Sequence, residues 1–147
     1  MSGAGADTSE RSLIRGAVML AVRDVQRSAD FYCDVVGFER LDYPHIPLVR
    51  RGNLQLFLVE ESPPTDDRPG VSLIPPGDYS RMPVNLVLEV VDVMAEYEAL
   101  KARGLRFLTP PAQPPWGGWR CFAQDPDGYL IEVEQPPADA GGPEKEP

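Results

Sequence analysis

The chain has 147 residues, 42% of them apolar and 25% charged, and its 14 Lys and Arg against 23 Asp and Glu give a net charge of −9. That length fits one domain with a buried core, and an acidic balance argues against nucleic acid and against an anionic membrane as partners. One histidine, His45, and two cysteines, Cys33 and Cys121, are too few for a zinc site built only of His and Cys within one chain.

Residues 1–12 are small and polar, with no basic or apolar stretch of the kind a signal peptide carries, so they read as a disordered tail of a cytoplasmic protein with two free thiols. The longest apolar run, residues 17–22, is far short of the ~20 residues of a membrane span. Met19-Leu20-Ala21-Val22 reads as a strand, and Asp24 follows as a helix N-cap. The spacing predicts a helix over 26–35, closed by Gly37. Strands follow over 39–43, 47–51 and 54–59, with Gly52-Asn53 as a turn.

Residues 62–83 hold six prolines and read as a linker with one short strand near Val71-Ser72-Leu73. The opening pattern then recurs 68 residues on, as Val87-Leu88-Glu89-Val90-Val91-Asp92-Val93. A second helix is expected over 94–103, closed by Gly104, then strands over 106–108, 120–124 and 129–134, with Asp125-Pro126-Asp127-Gly128 as a turn. Residues 136–147 read as a disordered acidic, Pro-rich tail. The order is β-α-β-β-β twice, an α+β chain whose modules, 13–61 and 84–135, must pair into one domain over 13–135 because fifty residues hardly bury a core alone.

Val22-Arg23-Asp24-Val25-Gln26-Arg27-Ser28-Ala29-Asp30-Phe31-Tyr32, the closing Gly37-Phe38 and Asp125-Pro126-Asp127-Gly128-Tyr129-Leu130-Ile131-Glu132 resemble the vicinal oxygen chelate superfamily of glyoxalase I, extradiol dioxygenases and bleomycin-resistance proteins. The resemblance implies two βαβββ modules whose curved mixed sheet surrounds a cavity, and a homodimer, in some members by exchange of the first strand. It also implies metal-ligand positions on the first and last strand of each module. Seven residues before Asp24 stands Ala17, which has no donor atom, and seven before Asp92 stands Asn85, a neutral amide. On the fourth strand the position falls on Gln55 or Phe57, and only Glu132 matches a ligand type outright. Three strong ligands are the usual requirement for an open Zn, Ni or Fe site, so the reading is a protein without a metal cofactor. The alternative is a divalent Zn, Ni, Mn or Fe held by Glu132, Gln55 and Asn85, with His45 near the cavity mouth.

Strand alternation places Ala17, Met19 and Ala21, then Gln55, Phe57 and Val59, then Asn85, Val87 and Glu89, then Leu130, Glu132 and Glu134 on the cavity side. Trp116-Gly117-Gly118-Trp119-Arg120, after a proline run, supplies two aromatic rings and a cation suited to a planar ligand; one Trp is expected to line the cavity and the other to be structural. A similar Pro-Trp-Gly element belongs to the bleomycin-resistance branch, the one the chain resembles most. The candidate ligand-binding residues are therefore Met19, His45, Gln55, Phe57, Asn85, Glu89, Trp116, Trp119, Arg120 and Glu132. The expected function is sequestration of a planar aromatic or cationic small molecule, in the manner of antibiotic resistance. The alternative is a lyase, isomerase or dioxygenase using a weakly held metal or a carboxylate base, with Glu132 the best catalytic candidate. Cys33 in a helix and Cys121 in a strand read as packing residues.

Overall fold

The computed structural model describes residues 12–140. Its first module runs β1 (Val18–Val22), α1 (Val25–Asp30), β2 (Glu39–Arg40), β3 (Leu48–Arg51) and β4 (Leu54–Glu60). The second runs β5 (Asn85–Glu89), α2 (Val93–Ala102), β6 (Trp119–Gln124) and β7 (Leu130–Gln135). Each helix starts at the expected aspartate: the Asp24 carboxylate accepts from the Arg27 N–H at 3.0 Å, and that of Asp92 from the Ala95 N–H at 3.1 Å. Gly37 and Gly104 close them with φ of 89° and 106°. The first helix is not uniform, because it widens into a π-helical turn over Phe31–Val35.

The strands form two separate sheets, one of four in the order β1-β4-β3-β2 and one of three in the order β5-β7-β6. In each, the strand before the helix runs parallel to the module's last strand, as a helical crossover requires. The expected strand over 39–43 is confined to Glu39–Arg40. Those near Phe107 and Leu73 are reduced to single bridges, to Ala123 and Ser62. The prolines flanking these segments withdraw the N–H donors that a longer ladder needs.

Alternation sends one side chain of each pair to the core. Leu20, Val22, Leu56, Leu58, Leu86, Leu88 and Ile131 are buried around Tyr32 and Ala29 of the first helix. Val133, Cys121 and Ala123 are buried under Val93, Tyr97 and Leu100 of α2. The first of these cores contains residues of both sheets, so neither module closes its interior alone. The tail expected from Pro136 begins with a 3-10 turn over Ala138–Ala140; residues 1–11 and 141–147, where the remaining tail expectations fall, lie outside the described residues.

The two signature segments meet at the junction. Asp127, fully buried, accepts from the Arg23 N–H at 3.0 Å, from Arg23 Nη1 at 3.1 Å and from Ser28 Oγ at 3.3 Å. Asp125 accepts from Tyr32 Oη at 2.7 Å and from the N–H groups of Asp127 and Tyr129. Tyr129 Oη donates to the Ala21 carbonyl at 2.9 Å. Burial pushes the Asp125 carboxyl up to about 6 despite these donors. The linker closes over the same turn, with Tyr79 Oη donating to the Pro126 carbonyl and Arg23 Nη2 to that of Pro76.

Candidate functional site

The side of β5-β7-β6 away from the helix is open, and its register lays the side chains in three rows. Asn85, Leu130 and Gln124 form the first, Val87, Glu132 and Phe122 the second, and Glu89, Glu134 and Arg120 the third. Glu132 is only 7% exposed, and the Asn85 Nδ2 donates to its Oε1 at 2.8 Å. Glu134 is held above the usual carboxylate range, first by burial and then by repulsion from Glu132 and Glu89, with Arg120 opposing the rise. The third row thus gathers two carboxylates side by side against one guanidinium.

Trp116 joins this face from the loop before β6. Backbone bonds in both directions between Ala112 and Arg120, at 2.9 Å each, fix the loop's base. Gly118, at φ 72°, lies so close to the strand end that a Cβ would come within 2.6 Å of the Gln135 carbonyl oxygen. Held this way, Trp116 has the Arg120 guanidinium over its ring at 5.0 Å, while the same guanidinium lies 5.1 Å from the Phe122 ring centre. Trp116 remains 61% exposed. Trp119 shares its parity with Cys121 and Ala123, which pack under α2, so the structure sets it on the other side from Arg120.

Met19, Gln55 and Phe57 occupy the corresponding open side of the first sheet. Met19 and Phe57 are register neighbours, the Tyr43 ring packs on Phe57 at 5.0 Å, and Arg15 Nε donates to the Gln55 Oε1 at 3.2 Å. Among the described residues no hydrogen bond or ring contact joins this set to Asn85, Glu89, Glu132 and Arg120. The sheets approach at a groove of about 390 Å³, between the Arg51-Gly52-Asn53-Leu54 turn and the end of β5 from Val87 onward, and Glu89 lines it. His45 stands apart, exposed in a turn with a left-handed φ of 77°.

Of the expected metal-ligand positions, Ala17 has no donor atom, Asn85 uses its Nδ2 to bond Glu132, and the Gln55 Oε1 accepts from Arg15. Among the described residues no three His, Cys, Asp or Glu side chains are grouped so as to hold an ion. Burial pushes the Cys121 thiol up to about 11, so it is no nucleophile at neutral pH. Phe122 is the residue the sequence reading left out, although it shares Arg120's parity; Glu134, which alternation already placed on the cavity side, joins the candidates through its register with Arg120.

A model of the Glyoxalase/Bleomycin resistance protein/Dioxygenase superfamily matches residues 15–133. A protein of Bacillus subtilis, YetH, is 29% identical over 124 residues, covering 82% of this chain and 96% of its own. A lactoylglutathione lyase of Pseudomonas putida is 28% identical over 162 residues, covering 90% and 91%. Among solved structures, TnmS3, an antibiotic binding protein from a Streptomyces species, superposes with a TM-score of 0.59 at 29% identity, covering 84% of this chain and 98% of that one. No helix of the described residues is long and apolar enough to cross a membrane.

Proposed function

Since the chain belongs to the glyoxalase/bleomycin resistance protein/dioxygenase superfamily, we propose that it is a metal-free member that binds and sequesters a planar, aromatic or cationic small molecule on the open side of β5-β7-β6. The observation that carries this reading is the exposed Trp116 ring beside Arg120, next to the carboxylates of Glu89, Glu132 and Glu134. An aromatic face binds a flat ring, and carboxylates in a half-buried setting reward a positive group on it. The likeness to an antibiotic binding protein supports an antibiotic-like ligand. A homodimer belongs to the same proposal, because Met19 and Val87, 46% and 43% exposed, lie on open sides that, among the described residues, no hydrogen bond or ring contact joins. Light scattering of the full chain tests it, with a monomer at micromolar concentration as the opposing result.

Quenching of Trp fluorescence by planar cations tests the site. Trp116→Ala should abolish most of the affinity and Trp119→Ala should leave it. Unchanged affinity in both variants would sink the stacking reading. A second reading, catalysis by a carboxylate base, draws support from the raised Glu134 carboxyl beside Glu89. Turnover of 2-oxoaldehyde adducts or of activated aromatic substrates that is lost in Glu134→Gln would favour it.

A further inference from the structure

Arginines near carboxylates usually pair with them, since a guanidinium fork matches two oxygens. Arg120 does not. It lies directly across the β6-β7 register from Glu134, with Glu89 next in the row. Yet among the described residues its guanidinium makes no ion pair and gives no side-chain hydrogen bond. Its contacts are two rings, Trp116 and Phe122, at 5.0 and 5.1 Å. The Ala112 bridge and the cramped Gly118 hold the loop that brings Trp116 there. The two ring faces on this side of the sheet thus already carry a flat cation, and that cation belongs to the chain.

We propose that Arg120 is an internal stand-in for the ligand: its guanidinium covers the Trp116 and Phe122 rings, and a planar cation of amidinium or guanidinium type displaces it on binding. The inference rests on the sequestration reading above and narrows its ligand class. Displacement moves Arg120 toward Glu134 and Glu89, where its charge is neutralised, while the incoming cation takes over the ring contacts. The chain's own arginine sets a threshold that neutral or bulky non-planar molecules do not cross, so it acts as a specificity-determining residue.

The sign of one substitution decides the matter. If Arg120 competes, Arg120→Ala binds benzamidinium about tenfold more tightly than the unaltered chain. The neutral isostere benzamide gains several-fold as well, because the ring faces are freed for both. Benzamidinium stays the tighter of the two in either protein. Weaker or unchanged binding in Arg120→Ala overturns the proposal. So does a gain confined to benzamidinium, which would reflect removal of a repelling charge rather than release of the rings. Trp116→Ala separates the layers: benzamidinium affinity left unchanged by it sinks the stacking reading itself, whereas a loss of about fivefold to tenfold together with an unimproved Arg120→Ala sinks only the stand-in. A readout on the unaltered protein needs no variant. The Arg120 side-chain proton signals, shifted upfield by the two rings, should move to solvent-like positions as benzamidinium saturates the site; fixed signals at saturation would overturn displacement.

Discussion

Two neighbouring regions are built from the same parts and behave in opposite ways. The junction between modules combines Asp125, Asp127, Arg23 and Tyr32, and the open side of β5-β7-β6 combines Glu132, Glu134, Arg120 and Trp116. At the junction every carboxylate oxygen that matters has a donor within 3.3 Å, and both aspartates are buried. Among the described residues of the open side, Glu132 accepts from Asn85, Glu134 and Glu89 have each other in place of a basic or amide donor, and Arg120 leans on rings beside carboxylates it does not bond. Residue type therefore does not separate structure from function here; satisfaction of the polar groups does. A network whose members are all paired holds a fold together, and one left half paired has capacity for a ligand.

The largest effect should come from breaking the paired network. Asp127→Ala strands the Arg23 N–H and the Ser28 hydroxyl at the junction, although Arg23, 44% exposed, recovers some hydration. The expected loss is about 3–4 kcal/mol in urea unfolding. Ligand affinity measured on the folded fraction should stay within twofold. A loss below about 1 kcal/mol would mean that the clamp does not hold the modules, and the contrast between the regions would collapse.

Next is the pH dependence of the same region. The folded Asp125 carboxyl titrates at about 6, above its ordinary 3.8, so the folded state binds the proton more tightly than the unfolded chain. Its stabilising contribution is fully present below about pH 4, is lost as pH rises through about 6, and stays lost above that. The linkage amounts to about 2–3 kcal/mol. Unfolding of the unaltered chain and of Asp125→Asn, compared between pH 4 and 7, should reveal that difference. Parallel curves would show that Asp125 is not held in a desolvated setting.

The junction was the least legible part of the chain, and the physical reason is separation. Asp24 and Asp92 announce themselves locally, because a cap bonds within three residues. The parity of β5 is local as well, and it placed Asn85, Val87 and Glu89 on the open side. Tyr32 and Asp125, by contrast, are 93 positions apart, and a sequence shows the turn at 125–128 without its partner. Trp119 and Arg120 are a different case. Adjacent strand residues face opposite sides, so grouping both with the ligand conflicted with the alternation used elsewhere in the chain. His45, set by its neighbouring prolines in an exposed turn, carried no such signal.

A substitution that touches the loop supporting the open side sharpens the comparison from its other half. Gly118→Ala puts a Cβ within 2.6 Å of the Gln135 carbonyl oxygen and 2.9 Å of the Pro137 nitrogen, at a φ of 72°. Both clashing atoms are backbone, so the loop itself must shift, at about 1–2 kcal/mol of stability. Trp116 moves with it, and affinity for a planar cation should fall several-fold while the Asp125 titration is unaltered.

The smallest effect on the fold, and the one that isolates the open side, is Trp116→Ala. The ring is 61% exposed and lies on no buried core, so unfolding free energy should change by no more than about 0.5 kcal/mol. An aromatic contact of this kind is worth about 1 kcal/mol, and its loss should weaken ligand binding by about fivefold to tenfold at constant stability. Asp127→Ala should do the reverse. If Trp116→Ala instead destabilised the chain by 2 kcal/mol or more, the ring would be plugging the sheet end rather than awaiting a ligand. The half-paired charges beside it would then need another explanation than binding.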